Sequence, residues 1–292
     1  MNDGTDQRTV ELPQGEIRYR DEGSGPPIVF VHGLLVDGTL WGGVTPRLAD
    51  RHRCIVPDLP LGSHRLPMRS DADLSPSGLA RLVDDFMGAL DLDGVTLVGN
   101  DTGGAITQLV AVDRPMRLAR LVLTPCDAYS DFFPPAFRPM QVAARIPGAI
   151  TAMLQPMRAA ALRPSPVAYG LLTKRRIPDH LLARWIEPAL RDPAVRRDLV
   201  KVLRGVSNRY TLDAADRLRR FDKPVLIAWA PEDKFFKLAN ARRLAAEIPD
   251  ARLELIADSL TFVPLDQPQA LADLIAEFVA VPGAAPGGSP PS

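Results

Sequence analysis

The 292-residue chain has few of the residues that build disulfide frameworks, metal sites and membrane spans. Its only cysteines, Cys54 and Cys126, lie in separate apolar runs, which indicates buried, reduced thiols. Its four histidines are too scattered for the spacing of a metal site. No apolar run approaches the roughly 20 residues of a membrane-spanning helix. These scarcities exclude a disulfide scaffold and an integral membrane protein.

The chain also has no excess charge of either sign. It carries 35 basic and 35 acidic residues, and this balance argues against nucleic acid as a partner. Hydrophobic residues make up 46% and charged residues 24%, which is ordinary globular composition. The polar N-terminus lacks the apolar core of a secretory signal. We therefore expect a cytoplasmic protein without metal, cofactor, nucleic acid or membrane partner, present as a monomer or homodimer.

Short apolar runs alternate with helical patterns in the first half of the chain. The runs end at Val31, Val56, Val98 and Leu123, and each is typical of a buried parallel strand. Apolar residues recur at three- and four-residue spacing over 79–90, which predicts an amphipathic helix. The sequence therefore predicts an α/β fold with a mostly parallel central sheet and helices on both faces.

This alternation stops after Pro125 and resumes at Pro224. The residues between carry helical patterns and many prolines but no convincing strand. A helical insertion at this point predicts a lid over the strand ends where such sheets bind ligands. The predicted organisation is a core domain of residues 1–126 and 221–280, a helical lid of residues 127–220 after the sixth strand, and a disordered tail of residues 281–292.

The segment from Val98 to Gly104 contains a Gly-x-Asp-x-Gly motif with Asp101 at its centre. It follows a predicted strand and opens a predicted helix, and such a turn holds its middle residue out at the top of the sheet. The helix dipole would stabilise a negative charge at Asp101. The alternative interpretation is an ordinary helix capped by an aspartate.

Two further motifs accompany this turn. The first is a candidate anion-binding pocket, in which backbone N–H groups would point at a negative charge. Its predicted members are His32, Gly33, Leu34, Leu35 and Thr102. The second is the run from Trp229 to Asp233, which places a carboxylate at the tip of a later strand.

Together these motifs resemble the α/β-hydrolase superfamily, in the branch with an aspartate nucleophile that includes epoxide hydrolases and haloalkane dehalogenases. The resemblance extends from Thr9 to Val279 and includes the position of the lid. It implies that Asp101 is the nucleophile and Asp233 the catalytic acid, with a histidine later in the chain.

That histidine is absent. Members of the family carry Gly-His-Phe after the last strand, and here Thr261 occupies the place of the histidine, before Phe262. No histidine follows His180. An ionised carboxylate attacks an alkyl carbon or an epoxide without a base, but hydrolysis of the resulting ester needs one, which contributes roughly 10² to 10⁴ in rate. The resemblance therefore implies an incomplete catalytic triad.

Three groups are candidates for a substitute base. His64 follows a central strand and is expected near the mouth of the pocket, although a solvated loop histidine is the plainer interpretation. Asp233 is a second candidate, acting through Thr261. His180 is more typical of a surface residue, and His32 is expected to orient the loop behind the anion pocket.

Aromatic residues in the predicted lid and core indicate an apolar substrate pocket, although each also suits ordinary packing. The predicted pocket residues are Trp41, Tyr129, Phe132, Phe133 and Phe262. Haloalkane dehalogenases carry a tryptophan directly after the nucleophile, and Thr102 stands there in this chain, which argues against dehalogenation.

Three functions follow from these residues. The first is hydrolysis of an epoxide or ester-like bond in a small or medium apolar molecule, with a non-standard base. The second is non-hydrolytic acid/base catalysis, as in an isomerase, lyase or ring-opening enzyme, by Asp101 and Asp233 with raised pKa values. The third is ligand binding by a degenerate hydrolase, which a pairing of Asp101 with a lid arginine such as Arg138 would favour.

Overall fold

The computed structural model describes residues 7–166 and 168–280, and its centre is an eight-stranded sheet. The strands are β1 Gln7–Leu12, β2 Gly15–Glu22, β3 Pro27–Val31, β4 Arg53–Pro57, β5 Val95–Asp101, β6 Leu118–Cys126, β7 Val225–Trp229 and β8 Ala251–Leu255. Their spatial order is β1-β2-β4-β3-β5-β6-β7-β8. In this spatial order the six strands β4, β3, β5, β6, β7 and β8 pair in parallel, and β1 and β2 form an antiparallel edge. The predicted fold class is confirmed.

Helices cover both faces of this sheet. In the described residues they are α1 Thr45–Leu48, α2 Pro76–Ala89, α3 Thr102–Asp113, α4 Arg138–Ala143, α5 Ala149–Leu154, α6 Asp179–Arg191, α7 Pro193–Gly205, α8 Asn208–Leu218, α9 Leu238–Glu247, α10 Val263–Asp266 and α11 Pro268–Ala280. The helix predicted over 79–90 is α2, and it begins where the hydroxyl of Ser75 accepts the N–H of Gly78 at 3.2 Å.

The alternation of side chains along β3 supplies both halves of the core. Val29 and Val31 point to one face of the sheet, where α2 and α3 pack, and Ile28 and Phe30 point to the other, where α11 packs. All four side chains are buried because helices cover both faces. This double coverage explains why the strand sequence is continuously apolar.

The chain between β6 and β7, residues 127–220, is called the insertion below, and it holds α4 to α8. A buried carboxylate joins it to the rest of the protein. Asp37 accepts hydrogen bonds from Nε of Arg184 at 2.7 Å and from the indole N–H of Trp185 at 3.1 Å. Since Asp37 is fully buried, these two partners keep its charge satisfied and fix α6 against the core.

Two sequence predictions concern the C-terminal tail and membrane-spanning helices. The tail predicted to be disordered, residues 281–292, lies outside the described residues. Within the described ranges, no helix combines the length and apolar character needed to cross a bilayer.

Candidate active site

Asp101 lies at a strained turn between β5 and α3. Its backbone has φ 55° and ψ −132°, a conformation that is costly for a residue with a side chain. The turn is tight because α3 starts close to β3: a Cβ atom on Gly103 would collide with the carbonyl oxygens of Val31 and His32. The strain holds the carboxylate above the end of the sheet, as the Gly-x-Asp-x-Gly motif predicts.

Two backbone N–H groups point at this carboxylate. The N–H of Leu34 donates to Oδ2 of Asp101 at 3.1 Å, and the N–H of Thr102 is a second donor. Gly33 is required here because a Cβ atom at that position would overlap the Asp101 carboxylate. The predicted donor Leu35 does not take part, since its N–H donates to the carbonyl of Leu61 at 2.9 Å.

His32 supports this loop from behind. Its Nε2 accepts the N–H of Leu59 at 2.9 Å, so Nδ1 carries the proton and donates to the carbonyl oxygen of Gly33 at 2.9 Å. Burial lowers the pKa of His32, which keeps the ring neutral. With both nitrogens bonded to the backbone, His32 orients the loop and has no lone pair for proton transfer.

Thr261 and Asp233 lie side by side. The Thr261 hydroxyl donates to Oδ2 of Asp233 at 2.8 Å. The other oxygen of Asp233 accepts the N–H groups of Phe235 at 2.7 Å and Phe236 at 2.6 Å. Thr261 is completely buried, and its carbonyl accepts the side-chain amide of Asn100 at 2.8 Å. Thr261 thus takes the hydrogen bond that an imidazole would make with Asp233.

Burial shifts the pKa values of both carboxyls upward. It raises the pKa of Asp101 to about 7; the Leu34 and Thr102 N–H groups oppose this shift and the charge of Asp233 adds to it. Burial also raises the pKa of Asp233, and the hydrogen bonds from the Phe236 N–H and the Thr261 hydroxyl oppose this shift. Glu232 does not join them, because it turns away to bind Lys174 at 2.5 Å.

A third carboxyl, Asp127, belongs to the site and was missed by the sequence analysis. It follows β6, one residue after Cys126, which pairs with Asp101 in the sheet. One Asp127 oxygen accepts the N–H of Phe133 at 2.8 Å, and the other has no hydrogen-bond partner within the described part of the chain. Burial and the charge of Asp101 raise the pKa of Asp127 well above its ordinary value. The sequence carried a signal for Asp127, because this residue follows a predicted parallel strand and the carboxyl ends of neighbouring parallel strands meet at one edge of the sheet.

Asp101 opens on a cavity of about 270 Å³ whose walls are mostly apolar. The core contributes Leu34, Leu35, Asp101 and Thr102. The insertion contributes Phe133, Pro134, Ala136, Phe137, Pro139, Met140, Met153, Leu154, Met157, Ala168, Tyr169, Leu172 and Ile186. This lining suits an uncharged apolar molecule placed against one carboxyl.

Of the five predicted pocket residues, only Phe133 lines this cavity. Trp41 packs on Phe30 with ring centroids 5.2 Å apart, and Phe262 packs on Trp185 at 6.0 Å. The hydroxyl of Tyr129 donates to Glu247 at 3.0 Å. Phe132 lines a separate hollow. The structure therefore places these four side chains outside the lining of the Asp101 cavity, as aromatic residues suit core packing as well as pocket walls.

The structure places His64 away from the Asp101 cavity. Its Nε2 lies 3.3 Å from a carboxylate oxygen of Asp198 on α7, and its Nδ1 accepts the N–H of Gly62 at 3.4 Å. The ring is buried between the insertion and the core and is absent from the lining of the Asp101 cavity. His180 lies exposed near the start of α6.

Arg138, the lid arginine that the sequence analysis named as a possible partner of Asp101, lies elsewhere in the described structure. Arg138 lines the hollow beside Phe132, so the arginine pairing that would favour a pure binding protein is not observed. In residues 7–166 and 168–280 no three histidine, cysteine or acidic side chains come together as metal ligands.

Comparison with known proteins assigns the class. The model of the alpha/beta hydrolase family matches residues 28–274, and the chain belongs to this family. It is a hydrolase whose homologues include haloalkane dehalogenases. The match covers most of the chain.

One sequence relative supports the same class, and two solved structures show the same fold. Haloalkane dehalogenase 2 from Mycobacterium tuberculosis (strain ATCC 25618 / H37Rv) is 28% identical over 285 residues, which cover 93% of this chain and 94% of that protein. The structure of an alpha/beta hydrolase fold protein from Burkholderia ambifaria aligns with a TM-score of 0.77 at 24% identity, covering 93% of this chain and 100% of the other. A thermophilic esterase from Thermogutta terrifontis aligns with a TM-score of 0.75 at 22% identity, covering 94% and 98%.

Proposed function

We propose that Asp101 attacks an electrophilic carbon of a small or medium apolar molecule, most simply an epoxide or an ester-like bond. The observation that carries this proposal is a strained carboxylate that faces an apolar cavity and accepts two backbone N–H groups. A carboxylate needs no base for this step, so the absence of an imidazole leaves it intact. The insertion would act as the lid over this cavity.

The first half-reaction with an epoxide balances without a cofactor. An Asp101 oxygen forms a C–O bond to one ring carbon, the ring C–O bond breaks, and the released alkoxide takes a proton from solvent water. The product is an ester of Asp101. The side chains that line the cavity carry no N–H group, and its hydroxyls belong to Thr102 and Tyr169, of which Tyr169 already donates to the carbonyl of Leu35 at 2.6 Å. A departing halide would therefore find no side-chain N–H donor among the described residues of this lining. An epoxide suits this cavity better, because its leaving oxygen stays bonded to the substrate and does not have to be held as a free anion.

The second half-reaction is expected to be slow. Water must add to the ester carbonyl, lose a proton and release the diol with the carboxylate of Asp101. The base that the geometry offers is Asp233 through the Thr261 hydroxyl, but Thr261 is fully buried. A proton relay through a buried hydroxyl is a poor substitute for an imidazole that contacts the water.

Intact-protein mass spectrometry tests this proposal. The protein is incubated with an apolar terminal epoxide, a primary alkyl bromide and an activated aryl ester, and the expected result is a persistent adduct that peptide mapping places on Asp101. Asp101→Ala should form no adduct, whereas Asp131→Ala, which changes a carboxylate of the insertion outside the cavity lining, should react as the natural protein does. Absence of both adduct and turnover with all three reagents would refute the proposal.

A second candidate function is acid/base catalysis without a covalent intermediate. The specific observation in its favour is the group of Asp101, Asp127 and Asp233, whose pKa values are all raised. A carboxyl that is protonated near neutral pH can donate a proton to a substrate.

The pH dependence of adduct formation separates these two functions. As a nucleophile Asp101 must be ionised, so the rate should rise about tenfold per pH unit below a pKa of about 7 and level off above it. Initial rates of the mass change, measured on both sides of this pH, give the profile. Turnover that instead falls as the pH rises through this value, with no adduct, would assign Asp101 the role of an acid.

A further inference from the structure

The charge of the chain is divided unevenly between the insertion and the rest. Residues 127–220 contain 17 basic and 8 acidic residues, whereas the remaining chain contains 18 basic and 27 acidic residues. The asymmetry is strongest over 132–178, which holds seven basic residues and no acidic one. A chain of zero net charge therefore has one strongly positive part.

Several of these basic side chains are free of ion pairs. Arg138, Arg145 and Arg158 are exposed, and within the described ranges none of them lies in a salt bridge. Arg138 and Arg145 also border a hollow of about 570 Å³ together with Arg204 and Arg209, and no acidic residue lines it. Guanidinium groups gathered in this way suit phosphate groups.

The same stretch exposes apolar side chains. Val142 is 57% exposed, Ile146 is 56% exposed and Leu162 is 40% exposed, although most large apolar residues of this protein are buried. Val142 lies on α4, which begins at Arg138 and ends at Ala143, and Arg145 and Ile146 lie in the turn that follows this helix. Exposed apolar side chains between arginines are typical of surfaces that lie in a membrane interface.

The mouth of the Asp101 cavity lies on this stretch. Of the residues that line the cavity, Ala136, Pro139 and Met153 are exposed, so they mark its opening to solvent. Pro139 is adjacent to Arg138 and three residues from Val142. The exposed part of the cavity lining therefore belongs to the same stretch of chain as the unpaired arginines and the exposed apolar side chains.

We propose that this face of the insertion, residues 136–162, docks on an anionic lipid bilayer, from which apolar substrates enter the Asp101 cavity. The arginines bind lipid phosphates, and Val142 and Ile146 enter the interface between head groups and acyl chains. This stretch contains arginines and no acidic residue, so its positive charge complements the negative charge of the lipid phosphates. The substrate class rests on the function proposed above, namely an apolar electrophile, here one dissolved in the membrane.

Vesicle sedimentation tests the docking without any enzyme assay. The full chain should partition onto vesicles of phosphatidylcholine with phosphatidylglycerol, should stay in solution with phosphatidylcholine alone, and should be released by high salt. Arg138→Glu combined with Arg145→Glu should lower the partition coefficient by at least about 25-fold, on the basis of about fivefold for each charge near the surface. Arg51→Glu combined with Arg242→Glu, two exposed core arginines without ion pairs in the described structure, is the matched control and should bind normally.

Two results would overturn the docking proposal. One is the absence of binding that depends on phosphatidylglycerol, and the other is equal loss of binding in the two double variants. Val142→Ser combined with Ile146→Ser adds a test of the apolar contact and should weaken binding at constant charge. Adduct formation with a water-soluble epoxide should be the same in all these variants, so a failure of docking stays distinguishable from a failure of the nucleophile.

Discussion

Thr261→His should raise the rate at which the Asp101 ester is hydrolysed by roughly 10² to 10⁴. The threonine hydroxyl is 2.8 Å from Oδ2 of Asp233, which can orient an imidazole and stabilise its positive charge. The second ring nitrogen would then take the proton of the attacking water. The measurement is single-turnover mass spectrometry, in which the adduct decays after excess epoxide is removed.

Two controls isolate the effect of the base. Thr261→Asn introduces a polar side chain without a base and should leave the adduct as long-lived as in the natural protein. Asp233→Asn in the Thr261→His background should remove most of the gain, because the imidazole then has no carboxylate partner. Equal decay rates for the histidine and asparagine variants would contradict the assignment of this position, and melting temperatures confirm that each variant folds.

Asp101→Asn should make the protein more stable at alkaline pH. A folded-state pKa of about 7, well above the ordinary value of 3.8, means that ionising Asp101 costs folding free energy. The natural protein should therefore lose stability relative to the variant as the pH rises from about 4 to about 7, and the difference should stay constant above that. Because Asp101 is only half-buried and faces the cavity, we expect roughly 1 to 4 kcal/mol.

Thermal unfolding of both proteins across this pH range measures the effect. Asp50→Asn, which removes an exposed carboxylate, is the matched control and should follow the natural protein at every pH. A stability difference between Asp101→Asn and the natural protein that does not change with pH would show that the pKa of Asp101 is not raised. Such a gain on losing the proposed nucleophile would mean that stability is given up for reactivity.

The fold could be predicted because its signals are local. Each apolar run is a strand whose two faces are both covered, and the period of α2 comes from packing against one of those faces. The turn at Asp101 is also local, since Gly33 and Gly103 are positions where a side chain would collide with the carboxylate or with β3. These steric constraints require glycine at fixed positions around Asp101, and such a pattern can be recognised in the sequence.

The walls of the site could not be predicted in the same way. Asp127 was missed because the strand was expected to end at Leu123, before Thr124 and Pro125, whereas β6 runs on to Cys126. Trp41 and Phe262 were placed in the pocket because an aromatic residue type does not tell whether its ring faces a cavity or packs in the core. These contacts depend on the angles at which segments far apart in the sequence pack against each other. A short stretch of sequence does not determine those angles.

The insertion leaves the sheet after β6 and returns at β7, and these strands are neighbours that pair at Leu121 and Val225. The chain can therefore exchange, lengthen or lose this segment without a change in the register of any strand. Asp101 ends β5 and Asp233 follows β7, so both lie outside the insertion, whereas Asp127, most of the cavity wall and the arginines of the proposed docking face belong to it. Reactivity and substrate choice are thus encoded in separate stretches of the gene, and each can evolve while the other is held constant.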